Sequence, residues 1–375
     1  MQNQQNKITV GILFGGKSVE HEISLISAHN IVAAIDRDKY APLLIGIDKN
    51  GRWLISDEEF LQQAAQIKQA NRPKLEQVAA DNAVVFVPAG RGKLLNIFNP
   101  SLSYKIDAVF PVLHGTFGED GAIQGLLKTA EVPFVGASVL GSAVGMDKIV
   151  AKSLLRDANI PIAKFIAVTA HTKNELHYDN IAKELGSPFF VKPADSGSSV
   201  GVNKVHNATE LAAAIGTAFK YTDRVLIEEC ISGQEIECAV LGNENPKASL
   251  PGEIVTTRGY DFYSYAAKYL DDNGAILKIP ANLPPELSEK IMALAVKTFQ
   301  VLACEGLGRV DFFLKDDGTA VVNEINTIPG FTAISMYPKL WEISGISYKE
   351  LIDKLLRLAL KRFTHEQRLT TSYSD

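Results

Sequence analysis

The chain has 375 residues, 46% hydrophobic and 22% charged, with a formal net charge of −5. That length exceeds what one hydrophobic core serves, so two or three domains of a soluble globular protein are expected. The acidic balance without a basic run argues against nucleic acid as the main partner, and no apolar run reaches membrane-spanning length. Cys230, Cys238 and Cys304 have neither disulfide-framework nor zinc spacing, and the polar Met1–Lys7 start lacks a signal-peptide pattern, so a cytoplasmic location is expected.

In chain order, Lys7–Phe14 reads as a buried parallel strand, followed by Gly15-Gly16, a helix from about Ser18 to Ile35 and a strand Tyr40–Ile47. This β-α-β opening predicts a doubly wound sheet. Residues 57–80 read as helical, with short strands near 83–87 and 106–110. A Gly-rich turn, Pro111-Val-Leu-His-Gly-Thr-Phe-Gly-Glu-Asp-Gly121, then lies at a strand's carboxyl end, where such sheets bind ligands. Gly11 to Ser18 also satisfies the GxxxxGK[ST] pattern of a phosphate-binding P-loop. Ile12, Leu13 and Phe14 are strand core, however, where a P-loop needs loop, so a nucleotide hydrolase built on Lys17 is the weaker reading.

The small residues from Gly136 to Gly145 mark an expected domain boundary. Beyond it, Met146-Asp-Lys148 opens a helix to about Asp157. Strands at 164–168, 188–192, 202–206 and 224–229 alternate with helices at 173–185 and 208–219, a second α/β unit. A helix at about 285–303 and another near 348–362 belong to the remainder. The predicted division is an N-terminal α/β domain over 1–140, a central unit over 141–229 and a C-terminal unit over 230–375.

Four segments carry candidate chemistry. Lys192 to Gly201 is a strand running into a Gly/Ser loop, whose N–H groups and hydroxyls can wrap a polyphosphate as readily as form a linker. Val225 to Glu235 is a strand end with Glu228-Glu229, able to edge a purine and ribose or simply to be solvated. The Tyr-rich stretch 256–278 is long and polar, as lids are. Finally, Arg309–Gly330 holds two β-rich runs around Asp317-Gly318, a strong hairpin signal. A two-residue loop pairs Asp311 with Glu324 and Arg309 with Asn326, all on one face. Opposed carboxylates repel, so this face is either a solvated polar surface or a site for Mg²⁺ or Mn²⁺. A three-residue loop would break that register.

With Met146-Asp-Lys148, Lys192 and its loop, Glu228-Glu229 and Asp311/Glu324/Asn326, the last two-thirds of the chain resembles the ATP-grasp ligases. Gly15-Gly16-Lys-Ser-Val-Glu20-His-Glu-Ile-Ser, His114-Gly-Thr-Phe-Gly-Glu-Asp-Gly and Tyr269 extend the likeness, and nearly the whole chain is similar to the D-alanine–D-alanine ligases. The resemblance implies an ATP-grasp fold behind a Rossmann-like N-terminal α/β domain. It implies ATP as co-substrate, two Mg²⁺ or Mn²⁺ ions on Asp311, Glu324 and Asn326, and ligation of two D-alanine molecules through a D-alanyl phosphate for peptidoglycan synthesis.

The same resemblance implies that Lys148, Lys192, Ser198, Ser199 and Lys268 face the ATP phosphates, while Glu228, Glu229, Ile231 and Glu235 hold adenine and ribose. Glu20 and His114 would meet the first D-alanine, Arg309 and the Gly330 N–H the oxyanion, and Ser335 and the Met336 backbone the second carboxylate. Ser198 and Tyr269 would link Glu20 to the lid. Tyr269 goes with an amino-acid acceptor where D-lactate-using relatives carry phenylalanine. A homodimer through the N-terminal domain is implied as well. Ala194-Asp195 and Cys230 lie where the family varies. The alternatives are a ligase with another acceptor such as D-lactate, the Lys17 hydrolase, and a non-catalytic amino-acid-binding protein.

Overall fold

The computed structural model describes residues 7–66, 73–257 and 274–373. Strand β1 (Ile8–Gly15) leads into helix α1 (His21–Ala34) and strand β2 (Tyr40–Ile47), which pairs parallel to β1 along its length, from Ile8↔Tyr40 to Gly15↔Ile47. β1 is apolar without alternation because both its faces are covered: Val10, Ile12, Leu13 and Phe14 are fully buried. After β3 (Trp53–Ser56) and α2 (Glu58–Gln66) comes a small antiparallel sheet of β4 (Val84–Phe86), β5 (Lys93–Asn96) and β6 (Ser103–Lys105). β7 (Ala108–Pro111) returns to β1, giving the order β3-β2-β1-β7. The helix expected across 57–80 is thus α2 and, after residues not described, two 3-10 turns, at Leu75–Gln77 and Ala80–Asn82.

The turn after β1 explains why the P-loop pattern is not a P-loop. Gly15 and Gly16 have φ of 88° and 94°, and a Cβ on Gly15 would lie 2.3 Å from the Ile47 carbonyl. Their N–H groups are spent inside the fold. Gly16 donates to Ile47 O at 2.7 Å and Gly15 to Ser24 Oγ at 2.7 Å. No cradle of free donors is left at this glycine pair for a phosphate.

Helix α3 (Ala122–Thr129) is followed by α4 (Val139–Met146) and α5 (Lys148–Asp157). The small-residue run expected as a boundary is therefore partly helix. Its glycines permit close packing, since a Cβ on Gly141 would meet Ala303 O at 2.4 Å and one on Gly145 Thr327 Cγ2 at 2.8 Å. β8 (Phe165–Thr169), α6 (Tyr178–Leu185), β9 (Phe189–Pro193), β10 (Asn203–Val205), α7 (Ala208–Ala218) and β11 (Arg224–Glu229) follow. Although strands and helices alternate here, the sheet is antiparallel, ordered β10-β9-β11-β8, with its own core around Val191, Val225 and Ile227.

The largest sheet is built from β12 (Gln234–Gly242), β13 (Lys247–Ala248), β14 (Gly252–Thr256), β15 (Ala275–Lys278), β16 (Gly306–Leu314) and β17 (Ala320–Asn326). Its order is β15-β14-β12-β16-β17, with β13 beside β12, and helix α8 (Pro285–Val301) packs on it. Of the stretch 256–278 expected as a lid, Thr256 ends β14 and residues 275–278 form β15, and residues 258–273 lie outside the described residues. Helices α9 (Met336–Ile343) and α10 (Tyr348–Glu366) share a core with the first sheet. Phe331 is the rivet, its ring 5.7 Å from Phe110 and 5.6 Å from Tyr337. Arg362 of α10 adds hydrogen bonds to Phe134 O at 2.9 Å and Gly136 O at 2.6 Å. No helix among the described residues is long and apolar enough to cross a membrane.

Candidate active site

The β16–β17 hairpin presents the pairs expected from its sequence, Asp311↔Glu324 and Arg309↔Asn326, but by a different route. The loop has three residues, Asp316 to Gly318, closed by Lys315 N to Thr319 O at 3.0 Å and Gly318 N to Lys315 O at 2.9 Å. Gly318 takes the positive φ, 81°, that such a loop requires. On the turn side of the strands this shifts pairing to Phe312↔Val322 and Leu314↔Ala320. A bulge between Asp311 and Phe312 then leaves Asn323 over and restores the expected partners. Two departures cancel.

Those side chains meet a third strand. On β12, Glu237 lies opposite Asp311. Arg309 donates from Nε to Asp311 Oδ1 and from Nη2 to Asp311 Oδ2, both at 2.7 Å, and its Nε lies 2.9 Å from Glu237 Oε2. Asn326 Nδ2 donates to Asp311 Oδ2 at 2.9 Å, and Lys148 Nζ lies 3.4 Å from Glu324 Oε2. Three carboxylates thus share Arg309 and Lys148. Among the described residues no cluster of three His, Cys, Asp or Glu side chains is placed to hold a metal. The set here is two carboxylates and a carboxamide, hard oxygen donors of the kind Mg²⁺ and Mn²⁺ take, with the Asn326 oxygen presented by turning its amide over.

A cleft of 620 Å³ runs from this face between the β10-β9-β11-β8 sheet and the largest sheet. Lys148, Lys192, Ser196 to Ser199, Glu228, Glu229, Ile231 and Glu235 line it. Asp147 caps α5 by accepting from Ile149 N and Val150 N, and pairs with Arg224. This starts the helix so that Lys148 points at the Gly/Ser loop, where its Nζ donates to Ser196 O at 2.8 Å. Lys192 Nζ contacts Glu228 Oε2 at 2.5 Å, and Lys152 pairs with the other oxygen, off the hydrogen-bonding direction. Burial opposes the Glu228 charge, but the two lysines outweigh it and hold the carboxyl below its usual range. Burial likewise works against Lys192, yet Glu228, Glu324 and Glu235 hold it above the ordinary lysine range, whereas burial prevails at Lys152 and lowers it. Glu229 is held at the strand edge, accepting from Lys164 N at 3.1 Å.

The Gly/Ser loop reaches across to the N-terminal sheet. Ser198 and Ser199 both adopt positive φ, 51° and 57°, and Ser198 Oγ donates to Glu20 Oε1. Glu20 stands at the N-cap of α1, buried to 6% exposure. His114 is enclosed beside it, its Nδ1 2.9 Å from Ile328 O and Nε2 3.4 Å from Ser27 Oγ. Burial holds this imidazole below its usual range against the pull of Glu20. Just past β17, a Cβ on Gly330 would lie 2.8 Å from Ser335 Oγ. Ser335 is the N-cap of α9, whose first N–H groups, beginning with Met336, have no partner within the helix. Tyr269 and Lys268 lie outside the described residues.

Sequence reasoning passed over four participants: Lys152, Glu237, Glu119 and Ser27. Lys152 follows Lys148 by one helical turn and Glu237 follows Glu235 on the same strand face, but neither spacing by itself marks a site residue. Glu119 Oε2 accepts from Gly115 N at 2.9 Å and Oε1 from Ile328 N at 2.8 Å, tying the His114 loop to the β17 exit. Burial, helped by the Glu20 carboxylate, pushes its carboxyl up to about 7. The folded protein therefore binds a proton there that the unfolded chain releases near 4.5, and stability from this group is lost as pH rises from about 4.5 to 7. The loss is on the order of 3 kcal/mol. Urea unfolding at pH 5 and pH 8 should show that slope diminished in Glu119→Gln.

Comparison with known proteins gives the family. Models of the D-ala D-ala ligase N-terminus and C-terminus match residues 9–137 and 154–357. The chain is 51% identical to a D-alanine–D-alanine ligase of Oceanobacillus iheyensis, over 98% of this chain and all of that one. It is 49% identical to D-alanine–D-alanine ligase A of Salmonella typhimurium, over 98% and 99%. The D-alanine–D-alanine ligase structure from Coxiella burnetii superposes with a TM-score of 0.84 at 38% identity, covering 96% of each chain. The VanG D-Ala:D-Ser ligase of Enterococcus faecalis gives 0.82 at 34% identity, covering 94% of this chain and 100% of that one. Its sheets, its cleft and its likeness along both halves agree, and the chain belongs to the D-alanine–D-alanine ligase family, with the ATP-grasp fold behind a Rossmann-like N-terminal domain.

Proposed function

We propose that the chain joins two D-alanine molecules into D-alanyl-D-alanine, using ATP, at the junction of Glu20, the Ser198 loop and the Arg309–Asn326 face. The observation carrying this reading is that one cleft ends on Lys148, Lys192 and the Asp311/Glu324 pair, while Ser198 ties it to Glu20. The adenosine end of ATP lies along Glu228, Glu229, Ile231 and Glu235, and its phosphates meet Lys148, Lys192, Ser198 and Ser199, with Lys268 from the lid. Asp311, Glu324 and Asn326 would hold two Mg²⁺ or Mn²⁺ ions, which supply charge neutralisation on the transferring phosphoryl group.

Glu20 binds the ammonium of the first D-alanine, with His114 beside it. The carboxylate oxygen of that D-alanine attacks the γ-phosphorus, the bond from the γ-phosphorus to the bridging oxygen breaks, ADP leaves, and D-alanyl phosphate forms. The amine of the second D-alanine, its carboxylate held by Ser335 and the Met336 N–H, then attacks the acyl carbon. Arg309 and the Gly330 N–H take the charge on the tetrahedral oxygen, phosphate departs and the amine loses its proton. By the family resemblance, Tyr269 would join the lid to Ser198 and Glu20 and favour an amino-acid acceptor. The product would serve peptidoglycan synthesis in the cytoplasm, from a homodimer. The likeness to a D-Ala:D-Ser ligase supports a second reading in which the acceptor differs.

Two lysine variants test the nucleotide assignment. Lys192→Ala should raise KM for ATP about 10²-fold, the scale of one lost charge-assisted contact or more. Lys17→Ala, on the surface beside a glycine pair whose N–H groups are already bonded, should leave it within about twofold, since surface changes are small. The reverse pattern in steady-state kinetics would return the site to the Gly11–Ser18 loop.

A further inference from the structure

Lys152 lies under the cleft rather than in it. It is 1% exposed and sits one turn after Lys148, a spacing that sets both ammonium groups on the same side of α5. The start of that helix is pinned, because Lys148 N donates to Ala194 O at 2.8 Å and Asp147 caps the turn. Glu228, itself 2% exposed, receives one lysine on each oxygen, Lys152 at Oε1 and Lys192 at Oε2. One buried carboxylate needs one cation to stay charged away from water. Two exceed what Glu228 itself needs, and of the two only Lys192 reaches the cleft. Lys192 lines the cleft and keeps 12% of its side chain exposed, whereas Lys152 is walled in.

We propose that Lys152 is a positioning residue that keeps Glu228 neutralised, so that Lys192 is free to leave that carboxylate for the nucleotide phosphates. Without Lys152, a Lys192 drawn to phosphate would strand a carboxylate in a low-dielectric interior, and the lysine would stay on Glu228. The proposal rests on the assignment of Lys192 to the ATP phosphates, and the test separates the two.

Titration calorimetry of a non-hydrolysable ATP analogue with Mg²⁺ would compare the full-length wild type with Lys192→Ala, Lys152→Met, Glu228→Gln and the Lys152→Met/Glu228→Gln pair. Lys152→Met should weaken binding about 10- to 100-fold, the scale of a charged contact, with KM for D-alanine unchanged. In the Glu228→Gln background the same substitution should have little effect, since Lys192 no longer has a carboxylate to neutralise. A loss of equal size in both backgrounds, or none in either, overturns the proposal. Lys192→Ala weakened with Lys152→Met unaffected overturns the role of Lys152 alone, whereas Lys192→Ala binding like wild type overturns both assignments. Should Lys152→Met fail to fold, Lys152→Arg decides, because it keeps a cation on Glu228: binding within about threefold of wild type supports the proposal, and a loss as large as that of Lys192→Ala contradicts it.

Discussion

Arg309→Met is expected to lower kcat for dipeptide formation about 10²- to 10³-fold, the effect of removing one oxyanion donor, with KM for ATP little changed. The same change removes the guanidinium that Asp311 and Glu237 share, and Glu237 is only 4% exposed. Breaking a buried pair costs roughly 3–5 kcal/mol, so a fall in rate alone could reflect poor folding. Arg309→Met/Glu237→Gln separates the two effects. Neutralising Glu237 should recover much of the denaturant midpoint while kcat stays low. If the double variant regains near-wild-type turnover, Arg309 is structural and the oxyanion assignment is wrong.

Glu324→Gln should have the other large effect. Glu324 faces Asp311 across the hairpin and has Lys148 within 3.4 Å, so its charge matters to the phosphoryl end of the cleft and little to the fold. A metal contributes several kcal/mol of charge stabilisation in the transition state, which corresponds to a rate loss of about 10²–10³. Mn²⁺ titration followed by electron paramagnetic resonance, with an ATP analogue present, should show weakened ion binding in this variant. Unchanged Mn²⁺ affinity with normal turnover would leave the hairpin face as a polar surface held by Arg309 and Lys148.

How much of this could be read beforehand depended on whether the cause was local. Hairpin pairing was legible because Asp317-Gly318 and strand alternation are local signals. It came out right only because the bulge at Asn323 offset the longer loop, and nothing in the sequence announced that bulge. The strand that carries Lys192 and the helix starts near Glu20 and Lys148 were legible for the same reason, whereas the roles given to Glu20 and Lys148 came from the family resemblance. Lys152 was not legible. A lysine among Ile149, Ala151, Leu154 and Leu155 reads as a solvated position, and only the fold brings Glu228 from another strand to meet it. Glu237 was hidden likewise, because its partner is on a strand more than sixty positions away and no turn links them. The antiparallel order of β8 to β11 and the burial of the first sheet beneath α9 and α10 are set by contacts far apart in sequence. Strand and helix alternation carries no information about either.

The most direct test is ADP release in the presence of ATP and Mg²⁺, with products resolved by mass, in four mixtures: no amino acid, L-alanine, D-alanine, and D-alanine with D-lactate. Release that requires D-alanine and yields D-alanyl-D-alanine, with no depsipeptide when D-lactate is added, is the predicted result. Equal ADP release in all four mixtures would contradict it and point to nucleotide hydrolysis without ligation.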